Sequence, residues 1–213
     1  MNQTPYPRMN ERGFTLIEMM ISVSIFAVFV AIFIASVVGL ARGTTAARVT
    51  AESSSGVLTV FQNIDRQVRW SDAINRPGTG ASGSTYVEFQ LPASSSADNT
   101  TRCVQYRYDP AQGIIASRIW VTGVTPLPSF SVKLTNVIPQ ATPNYPFTMI
   151  PAGASARQAL YLDLNAGTVG ISEVHMTSTF MARNSTADSI TNADNNADGQ
   201  SDRPVCSPTV TRP

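Results

Sequence analysis

Lysine and histidine are nearly missing from this chain: Lys133 and His175 stand alone beside fourteen arginines. One histidine excludes a site built from several imidazoles. A Ser-His-Asp triad would rest on His175, which sits in an alternating run and reads as a solvent-facing or packed strand residue. Cysteine is also scarce. Cys103 and Cys206 lie far apart with no CxxC spacing, which excludes a metal ribbon or a redox dithiol. The formal net charge is only +1. Nucleic acid is therefore not a predicted partner, because its electrostatic capture needs clustered positive charge. No repeat, phosphate-binding glycine loop or nucleophile motif occurs. With no catalytic constellation, an enzyme is not expected.

Two further absences shape the N-terminal third. No charged residue occurs from Met19 to Ala41, and no proline from Phe14 to Trp70. At about 1.5 Å per residue the uncharged run spans roughly 35 Å as a helix. That is enough to cross a bilayer core of about 30 Å. An ordinary secretory signal places its cleavage site after a shorter apolar stretch. Here the order is reversed: a polar leader with Arg8, Glu11 and Arg12 comes first, then Gly13, then the apolar run. A cut at Gly13 would leave the apolar helix on the mature chain, with 13 basic and 13 acidic side chains. The leader arginines would stay cytoplasmic, putting the C-terminal body outside.

The stretch Arg12-Gly13-Phe14-Thr15-Leu16-Ile17-Glu18 resembles the cleavage and methylation motif of type IV prepilins and type II secretion pseudopilins. The resemblance covers roughly the first 45 residues and is architectural beyond them. It implies a membrane aspartyl prepilin peptidase that cuts after Gly13 and N-methylates Phe14, and assembly with other pilins through the N-terminal helix. Glycine suits the cut, since without a Cβ the backbone can enter a narrow protease site.

Glu18 has a physical rationale of its own. A carboxylate inside an apolar span costs a few kcal/mol unless it is paired. Cleavage would create an ammonium at Phe14, one helical turn away. Between subunits, an incoming ammonium could meet Glu18 and set axial register. The alternative is that Glu18 snorkels to the headgroups. Tip-type pseudopilins often lack this glutamate, so its presence points away from them. Ala27, Ala31, Ala35, Gly39 and Gly43 recur every four residues, a spacing that lets helix backbones approach closely. Small residues are also simply common in membrane helices.

The helix is expected to continue to about Asp72. Val57, Phe61, Ile64 and Val68 make one apolar stripe, and Asp65 and Arg69 are spaced for an i,i+4 pair. Pro77 ends the element. From Thr85 the period becomes two. Strands are expected over Thr85–Leu91, Cys103–Tyr108, Ile114–Val121, Ser131–Val137, Leu160–Leu164 and Ile171–Met181, with turns at Asp109–Gly113 and Asn165–Gly167. The fold class is α+β: a long helix packed on an antiparallel sheet of four to six strands, pilin-like. The domain boundaries are 1–13 leader, 14–41 transmembrane and assembly helix, 42–76 amphipathic continuation, 77–183 sheet body, and 184–213 a polar, largely irregular tail.

An exported body permits a Cys103–Cys206 disulfide, with two free thiols as the alternative. Asp194, Asn196, Asp198 and Asp202 follow the start of a calcium loop, but Val205 stands where the last ligand should be Glu. Calcium is the one cofactor the sequence suggests. Arg102, Arg107 and Arg118 near Tyr106 and Trp120 form either a DNA-contacting cluster or an ordinary exposed sheet face. The architecture is most similar to W-type minor pilins and J-type pseudopilins. This favours a minor subunit that primes or joins a filament. The alternatives are a binding module for DNA uptake or adhesion, and a major pilin.

Overall fold

The computed structural model describes residues 13–153, 156–170, 172–206 and 212–213. The leader residues 1–12 lie outside the described residues. The chain divides into two compact units at Thr45 and Ala46. One helix, α1 (Leu16–Arg69), carries the backbone through that division.

Both ends of α1 have local chemical causes. Thr15 precedes it. The Thr15 hydroxyl accepts the Glu18 N–H at 3.3 Å, while Glu18 Oε2 accepts the Thr15 N–H at 3.4 Å. This reciprocal capping box satisfies two backbone donors that the first turn leaves open. The helix stops at Arg69, three residues before the expected Asp72. Ser71 Oγ donates to the Val68 carbonyl at 2.7 Å, and Arg183 N donates to the Arg69 carbonyl at 3.2 Å. Asn184 Nδ2 donates to the Trp70 carbonyl at 2.9 Å. Open carbonyls at the helix end are thus met from outside the helix.

In the second unit nine strands among the described residues form two antiparallel sheets. The first holds β1 (Ala73–Ile74), β3 (Thr85–Leu91), β4 (Arg102–Asp109), β5 (Ile114–Val121) and β6 (Ser131–Leu134) in that order. β2 (Gly78–Thr79) also pairs with β3. The second sheet orders β7 (Phe147–Ile150), β8 (Ala159–Thr168) and β9 (Ser172–Met181). The α+β architecture and antiparallel pairing agree with the sequence. The division into two sheets, and the strands β1, β2 and β7, do not appear in it.

The expected turn at Asn165–Gly167 is corrected. The β8–β9 ladder runs through it, pairing Asn165 with His175 and Gly167 with Glu173. Gly167 has φ +134°, and a Cβ there would collide with the Ser172 carbonyl. That glycine marks a tight backbone approach inside a strand. The reversal falls at Val169–Gly170, where Gly170 N donates to Glu173 Oε1 at 2.9 Å.

The core lies between the helix and the two sheets. Val57, Val60, Phe61, Ile64 and Val68 are buried with Phe89, Val104 and Tyr106 of the first sheet and Leu160, Leu162 and Phe180 of the second. Each fully buried aliphatic side chain contributes about 1.5–3 kcal/mol.

The opposite face of the first sheet is also covered. Ala73, Cys103, Trp120, Val205 and Cys206 form a second apolar cluster there. Cys103 and Cys206 are joined by a disulfide, Cα–Cα 5.8 Å. The tail is irregular, as composition implies, yet it is docked. Asn75 clamps Val205, donating Nδ2–H to its carbonyl at 3.2 Å and accepting its N–H at 2.8 Å. Gln158 is fully buried, accepts the Ile74 N–H at 2.9 Å and donates to Thr191 Oγ1 at 2.8 Å. Glu88, also fully buried, receives a fork from Arg212 at 3.0 and 2.6 Å. Asn75 and Gln105 supply its remaining donors.

Candidate assembly site in the N-terminal helix

Gly13 precedes the helix, and a Cβ built on it meets nothing within 4 Å. Among the described residues no packing contact requires glycine at this position. Phe14 beside it is 82% exposed. Glu18 lies one turn on, in its capping box. Its Oε2 also accepts the Thr15 hydroxyl at 3.3 Å, so the carboxylate has donors before any cleavage. The T-x-x-E spacing ahead of an apolar run carries this feature in the sequence. The same spacing also suits a carboxylate that pairs with the new terminus or snorkels to the headgroups, and these two uses mask the cap.

From Phe14 to Leu40 every Val, Ile, Leu, Met and Phe is exposed. The serines embedded there are satisfied by the helix itself. Ser22, Ser24 and Ser36 each donate to the carbonyl four residues back, at 2.8 to 2.9 Å. An apolar medium can accept such hydroxyls because no donor is left open. Ala27, Ala31, Ala35, Gly39 and Gly43 are all exposed, and a Cβ on either glycine meets nothing within 4 Å. Among the described residues α1 alone is long and apolar enough to cross a membrane, by length and composition.

Asp194 accepts from the Asp198 and Gly199 N–H groups at 3.1 and 3.2 Å and lies 3.8 Å from Arg76 Nε. Asp202 Oδ2 accepts both the backbone and the side-chain N–H of Asn195, at 2.9 and 2.6 Å. Asn196 donates to Asp198 at 3.0 Å. These hydrogen bonds shape the turns of the 194–202 loop. Among the described residues no three His, Cys, Asp or Glu side chains are grouped for a metal.

The arginine cluster does not gather round Tyr106, and its sheet face is not exposed. Tyr106 is buried on the helix-facing side, where burial pushes its phenol above the ordinary range. On the other face Arg107 and Arg118 lie over the Phe130 ring at 4.6 and 4.4 Å. Arg118 Nε also donates to Gln105 at 2.7 Å. Arg102 pairs with Asp98 at 2.6 Å, which holds the Asp98 carboxyl below its usual range. His175 is exposed on β9, 2.6 Å from Asp163. Asp65 and Arg69 form the expected i,i+4 pair at 2.5 Å.

A family model described as the prokaryotic N-terminal methylation motif matches residues 8–34. The matched stretch holds Gly13, Phe14, Glu18 and the first part of the apolar run. No curated protein and no solved structure matches the chain. The motif indicates a type IV pilin- or pseudopilin-like protein, and with the long apolar helix it fits a membrane anchor. It implies processing by a prepilin peptidase and assembly with other pilins.

Proposed function

We propose that this chain is a minor pilin or pseudopilin, cut between Gly13 and Phe14, N-methylated at Phe14, and built into a filament as one of few copies. Its role is structural rather than catalytic. The observation that supports this most is the apolar run of α1, which leaves every large apolar side chain from Leu16 to Leu40 uncovered and open space beside Gly39 and Gly43. Such a surface needs lipid before assembly and neighbouring helices after it. Glu18, released from its capping box, is the natural acceptor for an ammonium one turn away. Its charge then fixes register between subunits, while Ala27, Ala31, Ala35, Gly39 and Gly43 allow close helix approach.

The minor role is favoured by the body. Long irregular connections and a polar tail carry an ordering cost that a subunit repeated thousands of times would meet at every copy. Mass spectrometry after co-expression with a prepilin peptidase should find N-terminal Phe14 with an added methyl. Gly13→Val should leave the precursor intact. Glu18→Val should be cut normally and fail to enter filaments. An uncut wild-type chain would refute the processing step. If the chain forms the dominant band of sheared filaments, it is a major pilin.

A further inference from the structure

Beside the last turns of α1, against β4, β5 and β6 of the first sheet, lies a pocket of about 360 Å³. That is within the range of roughly 300–1,000 Å³ usual for small-molecule sites. It lies wholly within the second unit and does not depend on the filament reading.

Its charge is one-sided. Arg66 of α1 and Lys133 of β6 line it, and no Asp or Glu does. Neither cation forms an ion pair among the described residues. Asp65, adjacent to Arg66, is taken by Arg69. Arg66 Nη2 reaches only as far as Asn63 Oδ1 at 3.2 Å, and Lys133 Nζ donates to Ser131 Oγ at 3.2 Å. Both side chains therefore keep donors for an incoming anion. Arg118 contributes to the wall, but its guanidinium is engaged with Gln105 on the far face of the sheet.

The rest of the lining is neutral and mixed. Tyr106 OH donates to Gln67 Oε1 at 2.8 Å, and Ser117 stands opposite Tyr106 in the β4–β5 ladder. Ile119 and Val104 add apolar wall. Hydroxyl and amide groups suit a polyhydroxylated ring, and an apolar wall suits its C–H face. Two cations without a carboxylate partner suit an acid on that ring. We propose that the pocket binds an acidic monosaccharide, its carboxylate held by Arg66 and Lys133. Inorganic phosphate matches the cations but leaves the hydroxyls and the apolar wall unused.

Lys133 is the sole lysine. Reductive methylation with isotope-labelled formaldehyde therefore places one dimethyl-lysine reporter in the pocket and keeps its charge. The full chain in detergent micelles is titrated with sodium glucuronate while the Lys133 signal is followed by NMR. The expected result is a saturable shift that sodium chloride at matched ionic strength does not reproduce. Arg66→Gln should weaken it about fivefold, the worth of one partly exposed charge pair. Arg69→Gln, which breaks the neighbouring Asp65 pair, should still bind. A linear shift equal to that with chloride overturns the site, as does an unchanged response in Arg66→Gln. Saturation by glucose at the same concentrations overturns the role of the charge. Saturation by phosphate at the same concentrations overturns the sugar.

Discussion

Along α1, Leu16 to Leu40 leave every large apolar side chain exposed, while Val57, Val60, Phe61, Ile64 and Val68 are buried. The glycines divide the same way. Gly39 and Gly43 have open space beside them, whereas a Cβ on Gly56 would stand 2.8 Å from Leu134 Cδ1. In the second half, residue choice is explained by what the chain folds against. In the first half no packing among the described residues explains it, which fits the membrane anchor and the assembly that the motif implies. An identical substitution should therefore be read out by different experiments in the two halves.

The largest expected effect tests this directly. Ile64→Ala should cost about 2–5 kcal/mol of body stability, by lost burial and the cavity left behind. Ile32→Ala, the same chemical change, should leave body stability within about 0.5 kcal/mol. Denaturant unfolding in detergent, followed by the fluorescence of Trp70 and Trp120, measures both. Equal losses would break the comparison.

Next in size, Cys206→Ser opens a loop closed over a separation of 103 residues. It should lower body stability by about 2–4 kcal/mol, with cleavage after Gly13 unchanged. A change in the processed fraction would mean that the two regions communicate.

The smallest effect separates the glycines. Gly43→Ala gains helix propensity of up to about 1 kcal/mol. It should leave the body untouched while reducing filament incorporation. Gly56→Ala gains the same propensity but presses on Leu134, so the net change in body stability should lie within about 1 kcal/mol. Filament incorporation should be unaffected. If Gly43→Ala assembles normally, the small-residue stripe has no packing role.

Much of this was legible in the sequence, for identifiable reasons. The apolar run and the Gly13–Glu18 motif are local, and the Val57–Val68 stripe follows from helical period. The β3–β4–β5 meander follows from alternation. Other features depend on distant partners. β1 and β2 are two residues each and exist because β3 offers an edge. β7 is hidden among prolines that read as loop. Glu88 looks like the solvent side of an alternating strand. It is buried because Arg212, Asn75 and Gln105 converge on it from 13 to 124 residues away. The capping box was legible but masked by a second use for Glu18. The docked tail could not be read from its composition, because side chains such as Asn192 and Ser201 suit a solvated coil as well as a hydrogen-bonded strap.

That strap decides where a label can go. Arg212 lies against Glu88, and the Pro213 carbonyl accepts from Ser82 and Tyr86 at 2.6 and 2.8 Å. An epitope or fluorophore inserted next to these residues would compete with the contacts that seal the sheet. The Val169–Gly170 reversal has no such duty: Val169 is 69% exposed and Gly170 has open space beside it. For immunogold labelling, that hairpin tip is the insertion point that leaves the strap alone, with the insert kept ahead of Ser172, whose hydroxyl bonds Thr50 of α1.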